Sequence, residues 1–488
     1  MICVVNKGTL IISFSSLRFA LSMLLAVFLQ PNINGLKDMS QDIKIKKGLS
    51  INLLGGAEHT FHKEVASSTY VIYPTDFHGL TPKLVIKEGS HVKAGETLFF
   101  DKNQSEVTVA SPVSGEVTEI ARGERRRVLS IKIAADKEQK AIENKTISLS
   151  GASPAELKAY LLASGVWPFV KQRPYDVIAN PAGIPKAIFI SGLNTGPLNP
   201  DLDFVLRGQE EKLQAALTAL KKLSPGPIHV GVESKENSVF GTLDHVSLHT
   251  VGGPHPAGLV GTQIAAIDPI SKGELVWTIA AQDLVIIGEL LLTGRYNASR
   301  TIAVTGSSIV APQYIKSKIG AELTGIFEAL GVKEGDQRFI NGDVLTGTKT
   351  SKEGSLGFYN TQLTVIPEGN DYEFFGWNKP VFNKISPTRA LTFSWLNKKK
   401  KYHLDTNTNG EHRAFVITGG YEEVFPLDIF PMQLLKACMV NDLDDMENLG
   451  LYEVAPEDFS LTEFICISKQ PHQDIIRKGL DLMQQELG

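Results

Sequence analysis

The sequence of 488 residues has few cysteines and lacks most motifs that mark catalytic or cofactor sites. Its three cysteines, Cys3, Cys438 and Cys466, form no C-x-x-C pair. A disulfide framework, a cysteine-based zinc site and an iron–sulfur cluster are therefore not indicated. The 11 histidines form no H-E-x-x-H motif and no cluster with cysteine, so we expect no catalytic metal. No G-x-S-x-G motif indicates a serine nucleophile.

Positive and negative charges nearly balance, and long apolar runs are scarce. The net charge of −4 gives no reason to expect a nucleic-acid partner. One run, Leu10–Leu29, is long and largely apolar, but Arg18 interrupts it and no A-x-A-like cleavage site follows. We interpret residues 1–38 as a mis-called upstream extension with Met39 as the true initiator, and a signal-like segment is the alternative. No later segment is long and apolar enough to span a membrane.

The stretch Val251–Thr262 (VGGPHPAGLVGT) has the most constrained local composition. Five of its first eight residues are glycine or proline, and His255 lies among them. Such a sequence cannot form a regular helix or a central strand, so we predict a shaped loop between ordered segments. It lacks the G-x-G-x-x-G and G-K-[ST] patterns of nucleotide-binding loops. The loop is either a structural crossover or the support of a site, with His255 facing a ligand in the second case.

The region Leu84–Ile120 resembles the hammerhead fold of biotinyl and lipoyl domains. It reads V-K-x-G-x-x-V-x-x-G-x-x-L followed by A-S-P-x-x-G-x-V, a pattern of hairpin glycines and alternating apolar residues. Lys102 lies near the position of the modified lysine in carrier domains. However, more residues separate Lys102 from Pro112 than separate the corresponding positions in carrier domains, and the Met-Lys-Met signature is absent. A carrier function is therefore a remote alternative to a structural and docking module.

The middle of the chain alternates predicted strands and helices. A helix over Ser153–Ala163 and a strand–helix–strand series over Lys186–Ile190, Gln209–Leu223 and Ile228–Val232 indicate a Rossmann-like α/β layer with a parallel sheet. Ser191–Asp201 contains only Gly192 and Gly196, which disfavours nucleotide binding. Shorter strands and a helix then suggest a β-grasp-like unit, and the sequence after Pro431 is typical of helices. These shorter elements are Thr301–Thr305, Leu323–Leu330, Phe339–Thr346 and Leu363–Pro367.

Two stretches mix aromatic rings with polar groups. GVWPFVKQRPYD contains Phe169, Arg173 and Tyr175, and YPTDFHGL contains Tyr73, Phe77 and His78. Rings that stack and donors that meet carbonyl oxygens suit a flat, dipolar ligand such as a quinone. The alternative is that these side chains face the core. With His255, these residues form our candidate quinone-binding set.

Long stretches in one ordered series resemble a single family. They are IKIKKGLSINLLGGA (Ile43–Ala57), GGPHPAGLVGT, VWTIAAQDLVIIGELLLTGRY (Val276–Tyr296), VLTGT (Val344–Thr348), LGFYNTQLTVIPEGNDYEFFGW (Leu356–Trp377), PLDIFP (Pro426–Pro431) and TEFICISK (Thr462–Lys469). Together they resemble the A subunit of the bacterial Na⁺-translocating NADH:quinone oxidoreductase, the NQR complex. The likeness to the Rnf complex C subunit and to the flavin subunit of complex I is more distant.

The resemblance implies a multidomain α/β and α+β fold. We expect a barrel-sandwich-hybrid, lipoyl-like module at residues 39–145 and an α/β domain with the GGPHPAG loop at 146–296. An SLBB-like β-grasp domain would follow at 297–370. Residues 371–488 would then end in a helical domain without the iron–sulfur ligands of the distant relatives.

The resemblance also implies a function. Such a chain belongs to a six-subunit complex that reduces quinone with electrons from NADH and exports Na⁺. It would lie at the cytoplasmic face of the inner membrane, against an integral membrane subunit. It would carry no flavin, iron–sulfur cluster or covalent cofactor and perform no independent catalysis. Two roles stay open: contributing to quinone binding, or assembly and docking without a ligand.

Overall fold

The computed structural model describes residues 40–369, 373–376, 378–379, 384, 396, 400–416 and 419–488. The interpretation of residues 1–38 and Met39 lies outside this part of the chain. Among the described residues, no helix has both the length and the apolar character needed to cross a bilayer. Two short strands, β1 (Asp42–Lys44) and β2 (Glu58–Phe61), come first, and each joins a sheet that later segments build.

The next region forms two small sheets, ordered β3-β9-β8-β5 and β4-β6-β7. Alternation along β9 turns Ile131 and Ile133 inward, where they meet Leu98 and Val117 in one core. Lys102 is exposed just after β6. The strands are β3 (Thr69–Ile72), β4 (Pro82–Leu84), β5 (His91–Val92), β6 (Thr97–Asp101), β7 (Thr108–Ala110), β8 (Gly115–Arg122) and β9 (Val128–Ala135).

A seven-stranded sheet follows, ordered β1-β14-β13-β12-β15-β10-β11. Its first five members are parallel, as predicted, and β10 and β11 run antiparallel at one edge. Helices α3 and α5 pack on one face, while α4 packs on the other. The strands are β10 (Lys171–Arg173), β11 (Val177–Ile178), β12 (Ile188–Ser191), β13 (Ile228–Val232), β14 (Ser247–Gly252) and β15 (Val276–Thr278). The helices are α1 (Pro154–Ala163), α2 (Leu202–Leu206), α3 (Glu210–Leu223), α4 (Val260–Ile267) and α5 (Ala281–Thr293).

A six-stranded mixed sheet, ordered β19-β18-β20-β16-β17-β2, packs against one helix. The single strand predicted over Phe339–Thr346 is wrong. The strand ends at Asn341 because Gly342, at φ +111°, begins a turn in which Asp343 accepts backbone hydrogen bonds. The elements are β16 (Ser299–Thr305), β17 (Gln313–Lys318), α6 (Thr324–Leu330), β18 (Gln337–Asn341), β19 (Thr348–Thr350) and β20 (Gln362–Pro367).

The last region is helical, as expected, with its own apolar core. That core contains Leu434, Phe459 and Leu480 together with both described cysteines, Cys438 and Cys466. The Cys466 sulfur accepts a hydrogen bond from the Tyr421 hydroxyl at 2.9 Å. The helices are α7 (Tyr421–Val424), α8 (Pro431–Val440), α9 (Leu443–Asn448), α10 (Ser460–Ile465) and α11 (His472–Leu487).

Candidate functional site

Phe77 and Phe169 meet in a buried aromatic cluster. Phe358 bridges them, with ring centroids 4.5 Å from Phe77 and 4.9 Å from Phe169, the latter in a stacked arrangement. The Arg300 guanidinium lies 5.8 Å from the Phe169 ring centre. Both phenylalanines are at most 2% exposed. The cluster joins the barrel-sandwich, α/β and β-grasp regions, and a ligand could stack here only if Phe358 moved.

Arg173 lies elsewhere, in a buried ion pair with the helical region. Its Nη1 is 2.7 Å from Asp458 Oδ2, and its Nη2 is 2.9 Å from Glu457 Oε1. Burial tends to lower the pKa of Arg173, but these carboxylates outweigh it and raise the pKa above its usual value. The guanidinium therefore connects β10 to the segment before α10, where it donates three hydrogen bonds, the third to the Glu453 carbonyl.

The other candidate residues of GVWPFVKQRPYD and YPTDFHGL are more accessible to solvent. His78 is exposed, with Nε2 2.6 Å from Asp481 Oδ1 on α11. The Tyr175 carbonyl accepts a 2.7 Å hydrogen bond from Arg477, and its ring packs against the helical core. Tyr73 is half-buried before a short 3₁₀ turn. The candidate quinone set is thus spread over several places, and its role stays a prediction.

His255 lies at a separate convergence of loops. It follows β14 and precedes α4, so a loop exists but is shorter than predicted. Val251 and Gly252 belong to an interior strand and Val260–Thr262 to the helix, so the prediction is wrong at both ends. The ring is 4% exposed, and Nδ1 is 3.1 Å from the Thr195 hydroxyl. That hydroxyl already accepts from the Gly258 N–H at 2.8 Å. We assign the hydroxyl proton to Nδ1, the tautomer that leaves the ring proton on Nε2.

The Nε2 atom of His255 is buried and has no hydrogen-bond partner among the described residues. Burial lowers the pKa of His255 to about 4, although Asp343 acts in the opposite direction. The ring is consequently neutral at pH 7. A buried donor without a partner costs free energy, and it is an arrangement that a ligand acceptor can complete.

The segment Gly48–Gly56 runs along this convergence, and we call it the strap. At one end, the Leu49 N–H donates to the His255 carbonyl at 2.8 Å, and a Cβ on Gly48 would lie 2.1 Å from that oxygen. At the other end, the Gly306 N–H donates to the Gly55 carbonyl at 2.8 Å. The strap therefore connects the α/β loop to the β-grasp sheet.

Two further buried polar atoms without partners among the described residues border the strap. They are Asn199 Oδ1, next to Leu198, which packs against the apolar side chains of the strap, and Ser307 Oγ, whose residue follows Gly306. From the sequence, the loop that contains Asn199 was considered only as a nucleotide-binding loop, and Ser307 was not identified. The repeated Gly and Pro turns of SGLNTGPLNPD were the available signal. The described residues contain no group of three or more His, Cys, Asp or Glu placed to hold a metal ion.

Comparison with known proteins decides the family. Family models match residues 43–136 as the NqrA N-terminal barrel-sandwich hybrid domain and 152–296 as the NqrA second alpha/beta domain. Residues 301–352 match the NQRA C-terminal, SLBB model. The A subunit of the Na(+)-translocating NADH-quinone reductase of Yersinia pseudotuberculosis is 35% identical over 91% of this chain and all of the relative. The chain belongs to this NqrA family.

Other relatives of the family agree. The NqrA protein of Neisseria meningitidis serogroup A is 36% identical over 91% of this chain and the whole of its own length. Among solved structures, an NAD⁺-reducing [NiFe]-hydrogenase matches 45% of this chain and 48% of its own, with a TM-score of 0.33 and 13% identity. So low a score supports no conclusion. The expected family, the three named domain types and the helical end are confirmed.

Proposed function

We propose that this chain is a peripheral component of a Na⁺-translocating NADH:quinone reductase, located at its cytoplasmic face, and that it contributes to quinone binding. Family membership supports the role in the complex. The observation that carries the quinone contact is the buried, unpartnered Nε2 of His255, in a loop whose backbone is hydrogen-bonded to the strap. We further expect the chain to hold no flavin, iron–sulfur cluster or covalent group, because the sequence lacks their motifs.

The chemistry of this point suits a quinone head group. A quinone carbonyl accepts hydrogen bonds, and a neutral imidazole with its proton on Nε2 donates one. Apolar side chains along the strap, Leu49, Ile51 and Leu53, pack with Leu198 and Leu345 from the flanking loops. An apolar wall with few placed polar groups is typical of sites for such ligands.

Two substitutions of His255 distinguish the contributions of its two ring nitrogens. The shorter amide of His255→Asn can retain the Nδ1 contact with Thr195 but has no group at the Nε2 position. His255→Gln reaches the Nε2 position with an amide donor. In the assembled complex, we expect His255→Asn to raise KM for quinone about tenfold, as loss of one buried hydrogen bond predicts, and His255→Gln to raise it less.

The control is oxidation of NADH by a soluble artificial electron acceptor, which should not depend on the quinone site. Equal KM values for quinone in the wild type and His255→Asn would remove His255 from the site. A parallel loss of both activities would indicate damage to the fold instead of to quinone binding.

An assembly and docking role is the second candidate, and strand β2 favours it. This strand is the edge of its sheet, and all four of its residues are exposed. Phe204 stacks with both His59 and Phe61, with a ring-centroid distance of 4.9 Å to each. An exposed edge strand can pair with an added strand. On this candidate, the occupant is an extended segment of another protein of the complex.

A positive charge introduced on strand β2 tests this docking role. A lysine on an edge strand hinders strand addition, so Phe61→Lys should lower the yield of assembled complex while leaving the chain folded. Val310→Lys, a change at a 64% exposed apolar residue outside the strand, is the matched control. Equal assembly yields for the two variants would exclude docking at β2.

A further inference from the structure

A cleft of about 530 Å³ opens where three parts of the chain meet, and His255 is not among its lining residues. Its walls come from the segment Lys140–Asn144, from the turn Arg295–Asn297 after α5, and from Lys318 at the end of β17. The size falls within the range of sites for small molecules, and junctions between domains are common places for them.

Backbone hydrogen bonds fix the walls of this cleft. The Ala94 N–H donates to the Lys140 carbonyl at 2.9 Å, and the Asn144 N–H donates to the Gly294 carbonyl at 2.9 Å. An isolated antiparallel bridge pairs Glu143 with Arg295. The cleft is therefore built by main-chain contacts between distant segments and does not depend on the rotamers of long side chains.

The acidic side chains of the cleft already have partners. Glu143 forms an ion pair with Arg295. Glu289 is 3.0 Å from the Lys212 ammonium and accepts a 2.9 Å hydrogen bond from the Asn297 amide. Both carboxylates are therefore already paired, and neither forms an ion pair with the other cations of the cleft.

Lys318 and Lys140 are those cations. Within the described part of the chain, no carboxylate lies within 4.0 Å of either ammonium, and neither ammonium makes a hydrogen bond. Lys318 is half-buried, and burial lowers its pKa although Glu64 acts in the opposite direction. A half-buried ammonium without a partner costs free energy, and a bound anion would remove that cost.

We infer that this cleft binds a compact anion, the carboxylate or phosphate group of a small polar molecule, between Lys318 and Lys140. Asn144 also lines the cleft, and its side-chain amide can donate a further hydrogen bond. The site is separate from the quinone contact proposed at His255, so its ligand is a second molecule with its own effect on the protein.

Titration of the full chain with inorganic phosphate and with succinate, at constant ionic strength, tests this site. We expect saturable binding of at least one of them, and the one that binds identifies phosphate or carboxylate as the recognised group. Lys318→Gln and Lys140→Gln should each weaken binding about tenfold, the effect of losing one charged contact. Lys316→Gln, an exposed lysine on the same strand that lies over Phe61, should leave it unchanged.

Thermal unfolding provides the second measurement. At one anion concentration, the Tm of the wild type and of Lys316→Gln should rise more than that of Lys318→Gln. Without the anion, Lys318→Gln should be at least as stable as the wild type because it removes an unpaired, half-buried charge. Absence of saturable binding by both anions, or equal weakening by Lys316→Gln and Lys318→Gln, would overturn the proposal.

Discussion

Arg173 illustrates how the fold can give a residue a partner that its local sequence does not reveal. The sequence QRPYD indicates a fixed cation among aromatic rings, and a ligand was one interpretation of it. In the structure this cation is paired with Asp458, 285 positions along the chain. No local pattern encodes a partner at such a distance.

The Arg173–Asp458 pair predicts a large effect on stability. Arg173→Gln leaves the Asp458 carboxylate buried without its counter-charge, because Asp458 has no exposed side-chain surface. We expect the free energy of unfolding to fall by about 3–5 kcal/mol. Lys478→Gln removes an exposed pair with Asp474 and should cost less than about 1 kcal/mol. Urea unfolding monitored by circular dichroism measures both, and similar losses would contradict this assignment.

Two buried imidazoles predict the response to acid. Burial lowers the pKa of His255 and of His472 from 6.5 to about 4. Between these values the unfolded chain binds more protons than the folded chain, so stability falls as the pH decreases through this window. From about pH 7.5 to about pH 5, each imidazole should remove roughly 2 kcal/mol of stability.

His472→Phe isolates one of these contributions. The ring lies against Tyr421 and Phe415, so phenylalanine suits its surroundings, while the hydrogen bond of Nδ1 to Thr462 is lost. The variant should be less stable at neutral pH but should lose about 2 kcal/mol less on acidification. Urea unfolding at the two pH values gives the difference, and an unchanged pH dependence would exclude His472 as the titrating group.

At the scale of elements, the sequence predicts those features that neighbouring residues determine, such as the start of a helix. The helix predicted over Ser153–Ala163 is α1, and Ser153 and Glu156 form a full capping box at its start. Strand β2 could not be placed in the same way. Its four residues precede the barrel-sandwich strands but pair with β17, more than 250 positions later, because the chain crosses to the β-grasp sheet.

The contact between α3 and α5 gives a prediction for an element. A Cβ on Gly288 of α5 would lie 1.8 Å from the Lys212 carbonyl oxygen, and backbone cannot yield as a side chain can. Gly288→Ala should therefore separate the helices and destabilise the chain by at least about 2 kcal/mol. Gly325→Ala in α6 would meet only the tip of Val65, at 3.3 Å. It should be neutral or slightly stabilising, and equal Tm values for the two variants would contradict the packing.

For the whole molecule, the sequence predicted the domain types and one component of the candidate site. The GGPHPAG loop and His255 stood out because their composition is unusual. Thr195, Asn199 and Ser307 did not, because each is ordinary in its own segment. Thr195 contacts His255, and the strap links the loop of His255 to Gly306, beside Ser307; these contacts exist only in the folded chain.

We propose above all that His255 donates a hydrogen bond to a quinone. The most direct test is a calorimetric titration of the purified chain with a short-chain quinone analogue, after its absorbance spectrum has been recorded. We predict a colourless protein with saturable binding, weakened about tenfold by His255→Asn and less by His255→Gln. Absence of saturable binding to the wild type, or equal affinity in His255→Asn, would contradict the claim and favour the docking role.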